Sequence, residues 1–259
     1  MKFCSLRSGS GGNAVYIGYK DINLLIDAGL SGKIIEKSLV NINVDPNKLS
    51  AILITHEHND HIKGAGVLSR RYDIPIYANP ATWNVMERLL GNIDVKNKCN
   101  FKTGEEFSLG EIKIKSFKKS HDAAEPVGFS FFCNGKKITI ATDLGYMSKG
   151  VASNIMGSDV VLLESNHDVD MLIKGKYPWA LKKRILSDYG HLSNESAGEA
   201  LKKLFELNSV GMVFLGHLSQ ENNKPEIAHK TVTDMIKKSG VKCHIHMALR
   251  NIESELIKI

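Results

Sequence analysis

The stretch THEHNDH, Thr55 to His61, puts three imidazoles and two carboxylates into seven residues directly after the apolar run Ala51-Ile52-Leu53-Ile54. A short apolar run bounded by polar residues reads as a buried strand, so the polar cluster leaves a strand end. On a loop there, His56 and His58 turn toward one point, while Asp60 and His61, just beyond, face a second, and two cations lie side by side. A single zinc on a helix would use histidines four residues apart, a spacing residues 55–61 do not offer. The plainer alternative is a capped helix start with Asp60 as dipole partner and the histidines exposed. Each further ligand type in HxHxDH, and the strand before it, weakens that alternative.

Four residues do not complete two sites, and the sequence offers more candidates at other strand ends. His121 follows a β-rich run at 111–118, Asp143 ends 137–143, and His217 ends 210–217. Each is a polar group at the exit of an apolar strand, where one face of a fold can collect them. Asp143 has two carboxylate oxygens and can bridge two cations about 3.5–4 Å apart.

The rest of the chain sets the frame for this cluster. At 259 residues it suits one large domain with a sizeable core. An apolar fraction of 42% and a mean hydropathy of -0.15 are those of a globular protein. No apolar run approaches the roughly 20 residues of a membrane helix. The first residues, MKFCSLRSGSGGNA, lack an apolar segment behind the lysine, so they do not read as a secretory signal and a cytoplasmic protein is expected. Cys4, Cys99, Cys133 and Cys243 are far apart with no CxxC pair, which argues for reduced, largely buried thiols over disulfides or a thiolate zinc site. A net charge of +6 favours a polyanionic substrate over a cationic one.

Short β-rich runs recur at 15–19, 22–27, 51–55, 74–78, 111–118, 127–133, 137–143, 159–164, 210–217 and 242–247. Between them, Ala197, Ala200, Leu201, Leu204 and Phe205 follow a helical period behind Ser193 as N-cap. Ala228, Val232, Met235 and Ile236 do the same between Pro225 and Gly240. Sheets with helices outside them are the natural inference. The segment Gly9-Ser10-Gly11-Gly12-Asn13-Ala14 matches GxGxxA, but a dinucleotide fingerprint needs a helix after it, and Val15 to Tyr19 reads as a strand. A tight turn between paired strands is the better reading.

Asp27 in Leu25-Ile26-Asp27-Ala28-Gly29, the HxHxDH, His121, Asp143 and His217 stand in the order of the five motifs of the metallo-β-lactamase superfamily, which the chain resembles over essentially its whole length. The resemblance implies an α+β fold, a four-layer αβ/βα sandwich of two mixed sheets with flanking helices, built as a single domain over residues 1–259. It implies two divalent metal ions, zinc or manganese. The first falls to His56, His58 and His121, the second to Asp60, His61 and His217, and the bridge to Asp143. Asp27 would buttress the histidine loop; a turn-forming Asp-Ala-Gly is the alternative.

Glu164 ends the run 159–164 and His191 precedes the helix near Asn194, a pair resembling the acidic residue and histidine of ribonuclease Z and the β-CASP nucleases. The residues around Ser8–Ala14, 164–168, 190–194 and 216–223 are similar to the YycJ/WalJ branch, whose members are regarded as nucleases. In that branch Asn13, Ser193, Ser219 and Asn222 would face substrate. No long insert separates Glu164 from His191, so the β-CASP clamp is missing, which argues against long structured RNA. The resemblance thus implies a cytoplasmic metal-dependent phosphodiesterase, a DNA or RNA nuclease of the 5′–3′ exonuclease type. Asp60 would orient the attacking water, His191 would serve the phosphate or the leaving oxygen, and Glu164 would fix the His191 tautomer. Two alternatives stand beside this: Glu164 and His191 as surface residues of unrelated loops, and a hydrolase of small thioesters or cyclic phosphodiesters using the same centre. His167 either lines the cleft or stabilises its loop, and His229, His244 and His246 read as exposed or packing residues outside the site.

Overall fold

The computed structural model describes residues 1–207, 209–237 and 244–259. Its N-terminal half alternates strands and helices: β1 (Lys2–Arg7), β2 (Ala14–Tyr19), β3 (Ile22–Ile26), α1 (Gly32–Asn41), β4 (Ala51–Leu53), α2 (Asn59–Ile62), α3 (Ala65–Tyr72), β5 (Ile76–Ala78), α4 (Pro80–Leu90) and β6 (Lys98–Asn100). A meander follows, β7 (Glu106–Leu109), β8 (Ile112–Lys118), β9 (Val127–Cys133) and β10 (Lys136–Ala141). The remainder is α5 (Lys149–Ile155), β11 (Ser158–Glu164), α6 (Val169–Lys174), α7 (Trp179–Ile185), α8 (Asn194–Glu206), β12 (Val210–Gly216), α9 (Pro225–Lys237), β13 (His244–Met247) and β14 (Ile257–Lys258).

Among the described residues the strands form two seven-stranded sheets, ordered β14-β1-β2-β3-β4-β5-β6 and β13-β12-β11-β10-β9-β8-β7. Each is mixed. The first is antiparallel up to β3 and parallel from β3 to β6; the second is parallel from β13 to β10 and antiparallel from β10 to β7. Parallel strands need crossovers, which lay helices on the outer faces.

Three apolar layers result. Phe3, Phe129, Phe131, Ile138, Leu162 and Phe214 pack between the sheets. Leu25, Ile52, Ile35, Leu39 and Leu68 fill the space under the first sheet's helices, and Val161, Leu163, Val213, Leu201 and Val232 that under the second's. Each fully buried Leu, Ile or Phe contributes about 1.5–3 kcal/mol relative to exposure. This is the four-layer αβ/βα sandwich.

α8 begins where expected: the Ser193 hydroxyl accepts from the Ser196 amide at 3.1 Å, and Ala197, Ala200, Leu201, Leu204 and Phe205 form its buried face. α9 starts at Pro225 and buries Ala228, Val232 and Ile236. Gly240 and the first residues of the expected 242–247 strand, Lys242 and Cys243, lie outside the described residues. The glycine-rich segment turns between antiparallel β1 and β2 with no helix after it. Several expected strands run one or two residues too far. Asp27, Asp143 and His217 sit just past their strands at φ of 58°, 57° and 53°, a left-handed backbone that ends the ladder. β1, β6, β7 and β14 escape the sequence reading because they are very short or break alternation with buried polar residues such as Ser5. Cys4 and Cys133 are buried free thiols and Cys99 is half-buried. No described helix is long and apolar enough to cross a membrane.

Candidate metal centre

Parallel strands β3, β4, β10, β11 and β12 release their C-terminal ends at one edge of the sandwich, where loops collect functional groups. On the first sheet the organising residue is Asp27, 3% exposed. Its Oδ1 accepts from the Thr55 amide at 2.8 Å; its Oδ2 accepts from the Thr55 hydroxyl at 2.8 Å and from His61 Nδ1 at 2.7 Å. The turn after it docks on α2: the amides of Ala28 and Asn13 donate to the carbonyls of His61 and Asp60 at 2.7 and 2.8 Å. Gly29 is required there, because a Cβ would lie 1.6 Å from the Asp60 carbonyl oxygen. Asp27 is therefore the buttress and not simply a turn former.

The side chains converge with their ring nitrogens sorted. Nδ1 of His56 meets the Thr55 hydroxyl at 3.0 Å, Nδ1 of His61 meets Asp27, Nδ1 of His121 donates to the Gly190 carbonyl at 3.1 Å, and Nδ1 of His217 donates to Asn13 Oδ1 at 3.2 Å. Outer hydrogen bonds of this kind orient imidazoles for coordination through the other nitrogen. Those other nitrogens face inward: His61 Nε2 lies 3.5 Å from Asp143 Oδ2 and 3.5 Å from Asp60 Oδ2, His217 Nε2 3.2 Å and His121 Nε2 3.8 Å from Asp143 Oδ1. His56 Nε2 and His58 Nδ1 are 3.1 Å apart. Donor atoms of His56, His58 and His121 lie within 4.8 Å of one another, as do those of Asp60, His61 and His217, and those of His56, His61 and Asp143.

The electrostatics suit a cation. Asp143 Oδ2 is buried with no hydrogen-bond partner, a costly state for a carboxylate oxygen unless positive charge meets it. Burial holds the His56 imidazole well below its ordinary pKa and pushes His121 down to about 4, so both are neutral donors. Burial acts on His61 the same way, yet Asp143, Asp27 and Asp60 outweigh it and hold that ring well above the ordinary value. The carboxylates thus demand positive charge in their midst. The mixed imidazole and carboxylate set fits divalent metal ions.

Glu164 ends β11 fully buried. Its Oε2 accepts from the amides of Leu144 at 2.9 Å and Leu192 at 3.0 Å, and its Oε1 from His191 Nδ1 at 2.7 Å. Burial pulls His191 toward neutrality, but the Glu164 charge and hydrogen bond raise its pKa above the ordinary value. The His191 ring stacks on His217, centroids 5.2 Å apart, and lies 5.0 Å from that of His121. Buried Glu164 and half-buried His191 are thus one hydrogen-bonded pair beside Asp143.

The four residues expected to face substrate divide. Asn13 is only 5% exposed, and its amide is taken up by Gly9 N at 3.0 Å, Asp60 at 3.3 Å and His217, so it braces the cluster instead. The Ser193 hydroxyl is spent on the α8 cap. Ser219 borders a cavity beside His191. Asn222 is buried with neither amide atom partnered. His167 is buried and hydrogen-bonds through its backbone alone, since both ring nitrogens lack partners. Sequence reasoning missed Lys119, which is 3% exposed, donates to the Thr142 carbonyl at 2.7 Å and lies 3.8 Å from Asp143 Oδ2. A lysine after an alternating basic strand carries no signal of burial.

Fold and cluster together define a hydrolase of the metallo-β-lactamase class, and residues 22–217 match the family model described as the beta-lactamase superfamily domain. The chain belongs to that superfamily and, within it, to the YycJ/WalJ group. It is 45% identical over 240 residues to the exodeoxyribonuclease YycJ of Bacillus anthracis, covering 93% of this chain and 90% of that one. It is 46% identical over 243 residues to the exodeoxyribonuclease WalJ of Streptococcus pneumoniae, with the same coverage. The fold is shared with the metallo-β-lactamase fold protein YhfI of Bacillus subtilis at a TM-score of 0.76 and 17% identity, over 98% of both chains.

Proposed function

We propose that this chain is a metal-dependent exodeoxyribonuclease, working in the 5′–3′ direction as one catalytic domain over residues 1–259. The observation that carries the reading is the Glu164–His191 pair: buried Glu164 is tied to two backbone amides and to Nδ1 of half-buried His191, which leaves His191 Nε2 for a phosphate ester. The exodeoxyribonucleases at 45–46% identity support DNA as the substrate.

His56, His58 and His121 would hold one divalent ion, zinc or manganese, and Asp60, His61 and His217 a second, with Asp143 shared. Bound there, such ions supply an activated water and neutralise negative charge on the phosphate. Asp60, which is half-buried, would orient the attacking water. His191 holds its proton through Glu164 and passes it from Nε2 to the leaving oxygen, or hydrogen-bonds a phosphate oxygen. Asn13 and Asp27 keep His217, Asp60 and His61 in place, and Lys119 adds a fixed positive charge behind Asp143.

The test is hydrolysis of 5′- and 3′-end-labelled DNA and RNA by chelator-stripped protein with zinc or manganese restored. DNA should be shortened from its 5′ end, with binding that weakens steeply as salt rises, because phosphate contacts release counterions. Fast hydrolysis of thioesters or cyclic phosphodiesters without nucleic-acid cleavage would overturn the reading.

A further inference from the structure

Between β11 and α8 the chain makes an excursion, α6 and α7, that supplies none of the proposed metal ligands, though the carbonyl of Ile185 at its end accepts from the His191 amide at 3.0 Å. It is built rigidly: Lys182 is buried on α7, and its Nζ donates to the carbonyls of Ile173 at 2.6 Å and Gly175 at 2.7 Å, bolting α7 to the end of α6. α7 then presents two faces. Leu181 and Ile185 are half-buried and, with Tyr177, His191, Ser219 and the ion pair of exposed Arg184 with Asp122, line a cavity of about 160 Å³. Trp179, Lys183 and Leu186, at i, i+4 and i+7, share the opposite face and are exposed, Trp179 at 57%.

The composition of this segment is unusual for a solvated helix. Of the cations in residues 174–189, Lys174 pairs with Asp170, Arg184 pairs with Asp122 and Lys182 is held by backbone carbonyls, which leaves Lys176 and Lys183 facing solvent, with Asp188 the single acid of the stretch. Trp179 and Tyr189 stand open to solvent at 57% and 63% within that positive stretch, and Tyr146 at 46%. Exposed aromatic rings interleaved with lysines are what a single-stranded nucleic acid requires: ring faces for bases and cations for phosphates. The cavity is far smaller than the roughly 300–1,000 Å³ of a drug-sized ligand site. Its lining joins the apolar surface of Tyr177, Leu181 and Ile185 to the polar groups of Asp122, Asn166 and Ser219, with His191 among them, so it offers one unpaired base both ring contact and hydrogen-bond partners next to the scissile phosphate.

We infer that α7 is the track for a single strand: the cavity walled by Tyr177, Leu181 and Ile185 takes the base of the nucleotide beside the scissile phosphate, and the Trp179–Lys183 face carries the strand beyond it. This rests on the nuclease reading and adds the strand's path and its single-stranded form at the site. A duplex offers no free base faces to these rings.

The chain has two tryptophans, and Trp83 is buried with its indole N–H on the Cys99 carbonyl at 2.9 Å, so exposed Trp179 is the reporter. Titrating chelator-stripped protein with an oligodeoxythymidylate should quench tryptophan fluorescence, and blunt duplex DNA should quench far less. Trp179→Ala should weaken oligonucleotide binding about 5- to 150-fold, the weight of one base stacked on a ring, while Trp179→Phe keeps most of it. In Lys176→Ala/Lys183→Ala the slope of log K against log salt should fall by about two. Oligonucleotide binding that leaves the fluorescence unmoved and is as tight in Trp179→Ala, in protein that degrades DNA, overturns the track and leaves the nuclease reading standing. Protein that neither binds nor degrades any nucleic acid overturns both.

Discussion

The two sheets deliver their groups to the shared edge in opposite ways. The first sends His56, His58, Asp60 and His61 from a single turn after β4, held as one unit by Asp27. The second sends one group from each of several strand ends, His121 after β8, Asp143 after β10, Glu164 at the end of β11 and His217 after β12. A contiguous loop moves as a body, so its geometry depends on whatever anchors the loop. Dispersed groups are each fixed by their own strand, so every one fails separately. Asp143 is where the deliveries meet, within 3.8 Å of His61, His121 and His217 nitrogens.

Substitutions separate the two modes. The largest effect belongs to Asp143→Ala, which removes the group common to both proposed ions; metal analysis should show loss of both and DNA hydrolysis should fall beyond detection. His191→Ala should lose about 10²–10⁴-fold in rate, the usual share of a general acid, with metal content unchanged. Because His191 and Glu164 would act as a unit, adding Glu164→Gln should cost little more, and full additivity would contradict that pairing. Asp27→Ala leaves every proposed ligand present but frees the loop, so metal affinity should drop about 10–100-fold by competition with a chelator. An unchanged affinity would mean that the histidine loop holds itself. Smallest is Ser193→Ala, which removes the α8 cap: thermal or urea unfolding should show about 1 kcal/mol of lost stability with metal retained.

The same contrast explains what could be read from the chain beforehand. HxHxDH lies in one stretch after a buried run, so its chemistry is visible at a glance. His121, Asp143 and His217 are single residues, legible only because each stands at the exit of an apolar strand. Their strand ends were misplaced by a residue or two because a left-handed φ at Asp27, Asp143 or His217 is a tertiary demand that residue type does not announce. Asn13 could be located but not understood: its neighbourhood looks like a turn facing ligand, whereas folding carries it beneath Asp60 and His217. Lys119 and the two-faced α7 were invisible, since burial of a lysine or exposure of a tryptophan depends on partners far along the chain.

Most direct is the metal-to-protein ratio, measured by elemental analysis on protein stripped with chelator, reloaded with zinc or manganese and freed of loosely bound ion. Close to two ions per chain in the wild type, with both lost in Asp143→Ala, is the expected result. A ratio of zero, or one tightly held ion that survives Asp143→Ala, would show that the two sheets do not meet in a shared dinuclear centre.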